Sequence, residues 1–186
     1  MSTPSKSMVK DSKLLSLILR HAPEKAGLVL GEGGWVDVEA LLQGLSKMNH
    51  PMSRERLGVI VYENEKKRFT FSEDETKIRA AQGHSVKIKH DLKPLAPPEA
   101  LYHGTAVRFI EAIKSQGLRP MSRQHVHLSA DTQTAKKVGQ RHGKPIILQI
   151  NTQKMASAGL LFYQADNGVW LTDVVPSEFI LWERVT

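Results

Sequence analysis

Eleven residues near the middle of the chain, HDLKPLAPPEA at positions 90–100, constrain its fold more than any other stretch. Three prolines in this segment remove backbone donors and disfavour helix, so it reads as a connector. It predicts two lobes of similar size, residues 1–92 and 93–186, each needing its own core. Hydrophobic residues make up 40% of the chain, enough to build both.

The first lobe reads as helices followed by a hairpin. Leu14, Leu15 and Ile18 share a helical face, Ser12 is a candidate N-cap, and Pro23 marks the stop, with Arg20 and His21 in the last turn. Asp37 caps a second helix with Ala40, Leu41 and Leu45 inward. A third follows Ser53, with Leu57, Ile60 and Val61 inward. Arg68 to Phe71 alternates like a strand, SEDET turns, and Lys77 to Ala80 returns. This order is that of a winged-helix module, a common way to set a helix and a basic wing against nucleic acid.

The second lobe mixes strands and helices, which makes the whole chain α+β. Strands are predicted around Leu101–His103, Val126–Ser129, Ile146–Leu148 and Val169–Leu171, with Phe179–Trp182 closing the sheet. A helix is expected from Val107 to Ser115, stopped by Gly117, with Val107, Ile110 and Ile113 on one side. Another follows a cap at Asp131 or Thr132, and carries Ala135 and Val138 inward. Met8, Met48, Met52, Met121 and Met155 read as core filler. GxGxxG after a strand and GxxxxGK[ST] are both missing, so neither a Rossmann nor a P-loop fingerprint is present.

Lysine and arginine total 26 against 19 acidic residues, a net charge of +7 that suits an anionic partner without identifying one. There is no cysteine, which excludes disulfides, thiolate nucleophiles and cysteine-ligated metals. The eight histidines show no HExxH or similar ligand spacing, and no metal is expected. The opening MSTPSKSMVKDSK lacks a signal peptide's apolar core, and no run is long enough for a membrane span, so the expectation is a cytoplasmic protein.

Arg20-His21, Lys66-Lys67-Arg68 and Arg119…Arg123 lie far apart in sequence, each at an element end or in a loop. Guanidinium groups gathered from separate elements recognise phosphate, because each offers a rigid fork of donors and keeps its charge. Any one of them alone is more simply a solvated surface charge. Arg20-His21 adds a proton-exchanging imidazole to a cation, although a cation at a helix end is also ordinary capping. His103-Gly104-Thr105 and His127-Leu128-Ser129 place histidines on strands, and Gly104 permits a close backbone approach to a ligand.

The string SKLLSLILRHAPEKAGLVLGEGGWVDVEALL resembles the opening of the tRNA 2′-phosphotransferase family, KptA type. The likeness continues in order through KKRFTFS, IRAAQGHS, LYHGT, GLRPMSRQHVHLSAD, KVGQRHGKPIIL and QADNGVWLT. It implies an N-terminal winged-helix lobe that binds RNA, a C-terminal ADP-ribosyltransferase-like lobe that binds NAD, and an active site between them. The family's catalytic group maps to Arg20, His21, Arg68 and Arg123. Three positions shaping the NAD pocket map to His103, His127 and Val169, where many protein-modifying relatives carry glutamate at the third. Gly104, Thr105, Ser129 and Arg141 are further candidates for holding NAD, although Arg141 and His142 also fit an ordinary cationic helix end.

The implied reaction has two steps. The RNA 2′-phosphate displaces nicotinamide from NAD, giving an ADP-ribosylated RNA phosphate. The ribose 2″-hydroxyl then attacks phosphorus, releasing 2′-hydroxyl RNA and ADP-ribose 1″,2″-cyclic phosphate. The implied partner is RNA bearing an internal 2′-phosphate, the expected cofactor is NAD as a consumed co-substrate, and the expected state is a monomer. Two other readings compete: an ADP-ribosyltransferase that caps terminal phosphates of RNA or DNA, and a non-catalytic nucleic-acid-binding regulator.

Overall fold

The structure, a computed structural model, describes residues 6–89 and 91–184. The chain divides into two units, Met1–Asp91 and Leu92–Thr186. The proline-rich connector, of which His90 lies outside the described residues, has no helix or strand before Ala100.

In the first unit, helix α1 runs Lys6–Arg20 and buries Leu15, Ile18 and Leu19 completely. Ser12 is therefore not an N-cap. It sits inside the helix on the face of Leu15 and Leu19, buried, with its hydroxyl accepting from Asn64 Nδ2 at 3.4 Å. A small polar residue can cap or face inward, and nothing between Met8 and Lys13 breaks the helix. Pro23 opens a 3-10 turn, Pro23–Ala26, after the helix has ended.

Helix α2, Val38–Lys47, is capped by Asp37, whose carboxylate accepts from Ala40 N–H at 2.9 Å. Helix α3, Arg54–Tyr62, is capped by Ser53, which accepts from Arg56 N–H at 3.2 Å. Leu41, Leu45, Leu57, Ile60 and Val61 are buried in one core with the inward face of α1. Strand β1 is Val36–Asp37, β2 is Phe69–Phe71 and β3 is Lys77–Ala80; they form an antiparallel sheet in the order β1-β3-β2. The two-residue β1 is too short to show alternation in sequence. Arg68 lies just before β2, though its carbonyl still accepts from Ala81 N–H at 2.9 Å. Asp74 shapes the hairpin turn by accepting from the Ser72 hydroxyl at 2.6 Å and from Thr76. These bonds hold its carboxyl down to a pKa of about 2.

In the second unit, strand β4, Ala100–Ala106, pairs along its whole length with Pro145–Asn151. Strand β5, Val126–Leu128, belongs to a second antiparallel sheet with Trp170–Thr172 in its centre and Tyr163–Gln164 beyond. In chain order the three later strands are β6 (Pro145–Asn151), β7 (Tyr163–Gln164) and β8 (Trp170–Thr172). A single bridge, Tyr102 with Ser129, joins β4 to the end of β5 through reciprocal bonds of 2.8 and 2.7 Å. Leu101, Leu128, Leu148, Ile150, Met155 and Phe162 fill the core between the elements.

The helix expected over Val107–Ser115 is a 3-10 turn, Val107–Phe109, leading into α4, Ile110–Gln116. Three residues per turn shift the face, and Val107 is 47% exposed rather than inward. Helix α5, Thr132–Gly139, is capped by Asp131, which accepts from Thr134 N–H at 2.7 Å. Helix α6, Thr152–Ser157, is capped by Asn151 and escaped the sequence reading, being barely two turns long. The expected closing strand at Phe179–Trp182 is instead two 3-10 turns, Ser177–Phe179 and Trp182–Arg184, around one bridge from Ile180 to Ile150. The Trp182 indole N–H donates to the Ser177 carbonyl at 3.1 Å and holds the chain curled. Met121 is not core filler: it is 87% exposed at a left-handed turn, φ 56°, whereas Met155 is fully buried. Among the described residues, no helix is long and apolar enough to cross a membrane.

Helix α5 packs on β4 with unusual closeness. A Cβ on Gly104 would overlap the Ala135 carbonyl, and one on Gly139 would stand 2.6 Å from the Thr105 carbonyl oxygen. Two missing side chains thus let the helix backbone rest on the strand backbone. Gly58 in α3 has open space around it. Gly104→Ala should therefore cost on the order of 1–3 kcal/mol in a urea melt, because the helix must shift. Gly58→Ala should gain roughly 0.5–1 kcal/mol from helix propensity. Equal effects would show that the glycine contact does not govern stability.

Candidate active site

Three of the four residues singled out for phosphate chemistry meet in the first unit. Arg20 is the last residue of α1. Its carbonyl accepts from Ser85 N–H at 2.9 Å and Val86 N–H at 3.4 Å, so the segment after β3 closes the helix C-terminus. Its guanidinium donates to the Arg68 carbonyl at 3.4 Å. Gly83, at φ 89°, leaves room beside that side chain, with Arg20 Nη1 3.7 Å from where a Cβ would stand. His21 follows the helix and is exposed, its Nδ1 2.9 Å from Ser85 Oγ. Arg68 donates from Nη1 to Asn64 Oδ1 at 3.4 Å. Residues 48 positions apart are thereby drawn to one helix end.

Ser85 and Asn64 were not named among the candidate residues. Ser85 stood inside the quoted block IRAAQGHS, so a signal existed. Asn64, in an acidic stretch, gave none.

The second unit carries the other group. Arg123 closes a turn begun at Pro120, its N–H donating to that carbonyl at 3.0 Å. Its Nη1 lies 2.6 Å from His127 Nδ1 on β5. His103, on β4, donates from Nδ1 to the His127 backbone carbonyl at 3.0 Å. Ser129 makes the bridge to Tyr102, so the first two strand positions and Ser129 lie side by side. Arg141 is exposed in a 3-10 turn, Gln140–His142, directly after α5. Val169 is half-buried and precedes β8 rather than lying in it; its carbonyl accepts from Ala165 N–H at 2.9 Å. Leu128 pairs with Trp170, which sets the Val169 end of β8 beside β5. The close approach that Gly104 permits is made by helix α5, and Thr105 is buried in the same contact.

Burial pushes His103 below the ordinary histidine value; its bond to the His127 carbonyl opposes this, and the charges of His142 and Arg123 add to it. His103 is thus neutral at physiological pH. Its Nδ1–H is committed to the carbonyl, so Nε2 carries a lone pair. Desolvation and then the charge of Arg141 pull Arg123 below its ordinary value, yet a guanidinium so placed remains charged. The second unit therefore sets a cation against an imidazole, and the first gathers Arg20, Arg68 and His21 at one helix end; both are donor sets suited to a phosphate and to proton transfer.

The model of the family described as RNA 2′-phosphotransferase, Tpt1 / KptA family, matches residues 6–174. A probable RNA 2′-phosphotransferase of Acaryochloris marina is 54% identical over 170 residues, covering 91% of this chain and 94% of the relative. One from Agrobacterium fabrum is 54% identical over 169 residues, covering 91% of each. One from Pseudomonas fluorescens is 51% identical over 178 residues, covering 95% and 98%.

The depressed pKa of His103 has a consequence for stability. Below the unfolded value, near 6.5, the unfolded chain takes up a proton that the folded chain resists. This contribution is fully present above about pH 6.5 and is lost as pH falls towards the folded value. Urea melts between roughly pH 7.5 and roughly pH 5 should show stability dropping with acid. His103→Asn, which keeps a donor for the His127 carbonyl but cannot titrate, should lessen the slope; an unchanged slope would exclude His103 as its source.

Proposed function

Since the chain belongs to the RNA 2′-phosphotransferase, Tpt1 / KptA, family, we propose that it removes an internal 2′-phosphate from RNA by transferring it to NAD, with release of 2′-hydroxyl RNA, nicotinamide and ADP-ribose 1″,2″-cyclic phosphate. The observation that supports this best is the gathering of Arg20, His21 and Arg68 at the end of α1, where the Arg20 guanidinium reaches the Arg68 carbonyl and His21 follows directly in the chain.

On this reading the first unit is a winged-helix-like RNA lobe. Its three helices and its β1-β3-β2 sheet favour that assignment. The second unit is an ADP-ribosyltransferase-like lobe. Its donor set fits a dinucleotide: Arg123 and Arg141 lie close enough for one to lower the other's pKa, as cations sharing an anion do, and neutral His103 offers a lone pair to a hydroxyl. His103, His127, Ser129, Arg141 and Val169 would hold NAD, with Gly104 and Thr105 acting from beneath by seating α5 against β4. When bound, NAD supplies an electrophilic ribose carbon with nicotinamide as its leaving group.

Arg20, Arg68 and Arg123 neutralise the phosphate and its developing charge, the part that pre-oriented donors play in any site where charge builds up. A phosphate monoester with a second pKa near 6 is already largely dianionic at neutral pH, so it needs no general base. An apolar Val169 spares it the repulsion of a carboxylate. His21 protonates the departing RNA 2′-oxygen.

The test is incubation of the protein with NAD and a short RNA carrying one internal 2′-phosphate, beside a 5′-phosphorylated strand. Loss of the 2′-phosphate with release of nicotinamide is expected; modification of the 5′ end alone would overturn the reading. His21→Ala should leave nicotinamide release measurable while 2′-hydroxyl RNA fails to form, and equal loss of both would refute the acid role. Replacing Arg20, Arg68 or Arg123 singly should raise the barrier by about 2.7–4 kcal/mol, read from single-turnover rates.

A further inference from the structure

The contact between Arg123 and His127 specifies more than proximity. A guanidinium has five donors and no acceptor. A ring nitrogen 2.6 Å from Arg123 Nη1 must therefore be the acceptor, which leaves His127 Nδ1 without a proton and places its proton on Nε2. The same residue receives His103 Nδ1–H at its backbone carbonyl, 3.0 Å away, which fixes the opposite tautomer on His103. His127 presents a donor at Nε2 where His103 presents an acceptor.

Arg123 has reason to need such a partner. Its side chain leaves an exposed turn that begins at Pro120 and includes the left-handed Met121. The charge of Arg141 bears on it from the turn after α5, and a like charge drives a flexible guanidinium away. An acceptor on the rigid strand β5 holds it in place.

We propose that His127 is a positioning residue for Arg123: its unprotonated Nδ1 orients the guanidinium towards the transferring phosphate, beyond any part His127 takes in lining the NAD pocket. This rests on the reading that Arg123 serves that phosphate. Orientation of a charged donor acts on the chemical step, because a displacement of about 1 Å can cost on the order of 10²-fold in rate.

The experiment compares His127→Leu and His127→Asn, each alone and combined with Arg123→Gln, in 2′-phosphate removal at saturating RNA with NAD varied. Asparagine is chosen because its Oδ1 can stand where Nδ1 stands. His127→Leu should lower kcat by roughly 10- to 100-fold, over and above any rise in KM for NAD that its place in the pocket brings. His127→Asn should restore most of that loss. In the Arg123→Gln background, His127→Leu should add almost nothing. A rise in KM for NAD at unchanged kcat, Asn as damaging as Leu, or equal losses in both backgrounds would each overturn the proposal.

A second measurement does not depend on any variant. Nitrogen-15 NMR of the unmodified protein at neutral pH should find His127 with its proton on Nε2 and His103 with its proton on Nδ1. A proton on His127 Nδ1 excludes the acceptor role. If the unmodified protein removes no 2′-phosphate in the presence of NAD, the functional reading falls, while the NMR result still decides whether His127 holds Arg123.

Discussion

Helix α5 rests on strand β4 backbone to backbone, and the arrangement of the second unit depends on this contact. Gly104 and Gly139 face one another's chains, and either position would drive the helix off if it carried a side chain. With the helix seated, β4 is covered on that side and pairs with β6 along seven residues. Its remaining neighbour is the end of β5, reached through the Tyr102–Ser129 bridge. That bridge aligns His103 with the His127 carbonyl. Packing of two glycines thus leads, through strand placement, to the protonation state of a histidine.

The first unit solves a comparable problem at the end of a helix. A helix C-terminus exposes carbonyls without intrahelical donors. Here the Arg20 carbonyl takes backbone N–H groups from Ser85 and Val86, and the Arg68 carbonyl takes Ala81 N–H and the Arg20 guanidinium. Closing the helix and assembling the cationic group are the same act. Gly83 gives the Arg20 side chain its space, and Ser85 supplies both a capping N–H and a hydroxyl beside His21.

In both units a charged or titratable side chain is steered by a backbone carbonyl or a ring nitrogen. Arg20 meets the carbonyl of Arg68, His103 the carbonyl of His127, and Arg123 the ring of His127. Acceptors of this kind orient a cation without cancelling its charge. A carboxylate partner would also orient it, but would offset its charge.

Much of this protein was legible in its sequence. Caps at Asp37, Ser53 and Asp131, the inward faces of α2 and α3 and the turn at SEDET are local signals, readable because each depends on residues only a few positions apart. The ordered motifs named the family for the same reason. Ser12, Met121 and Phe179–Trp182 read wrongly, because a buried serine, an exposed methionine and a curled apolar segment look locally like a cap, a core residue and a strand. Tertiary structure alone decided that Gly104 admits a helix, that Asn64 and Ser85 join the arginine group, and which nitrogen of His103 and of His127 carries the proton. Those outcomes depend on distances between residues far apart in the chain or on separate elements, and a tautomer follows only from what each ring nitrogen faces once the chain has folded.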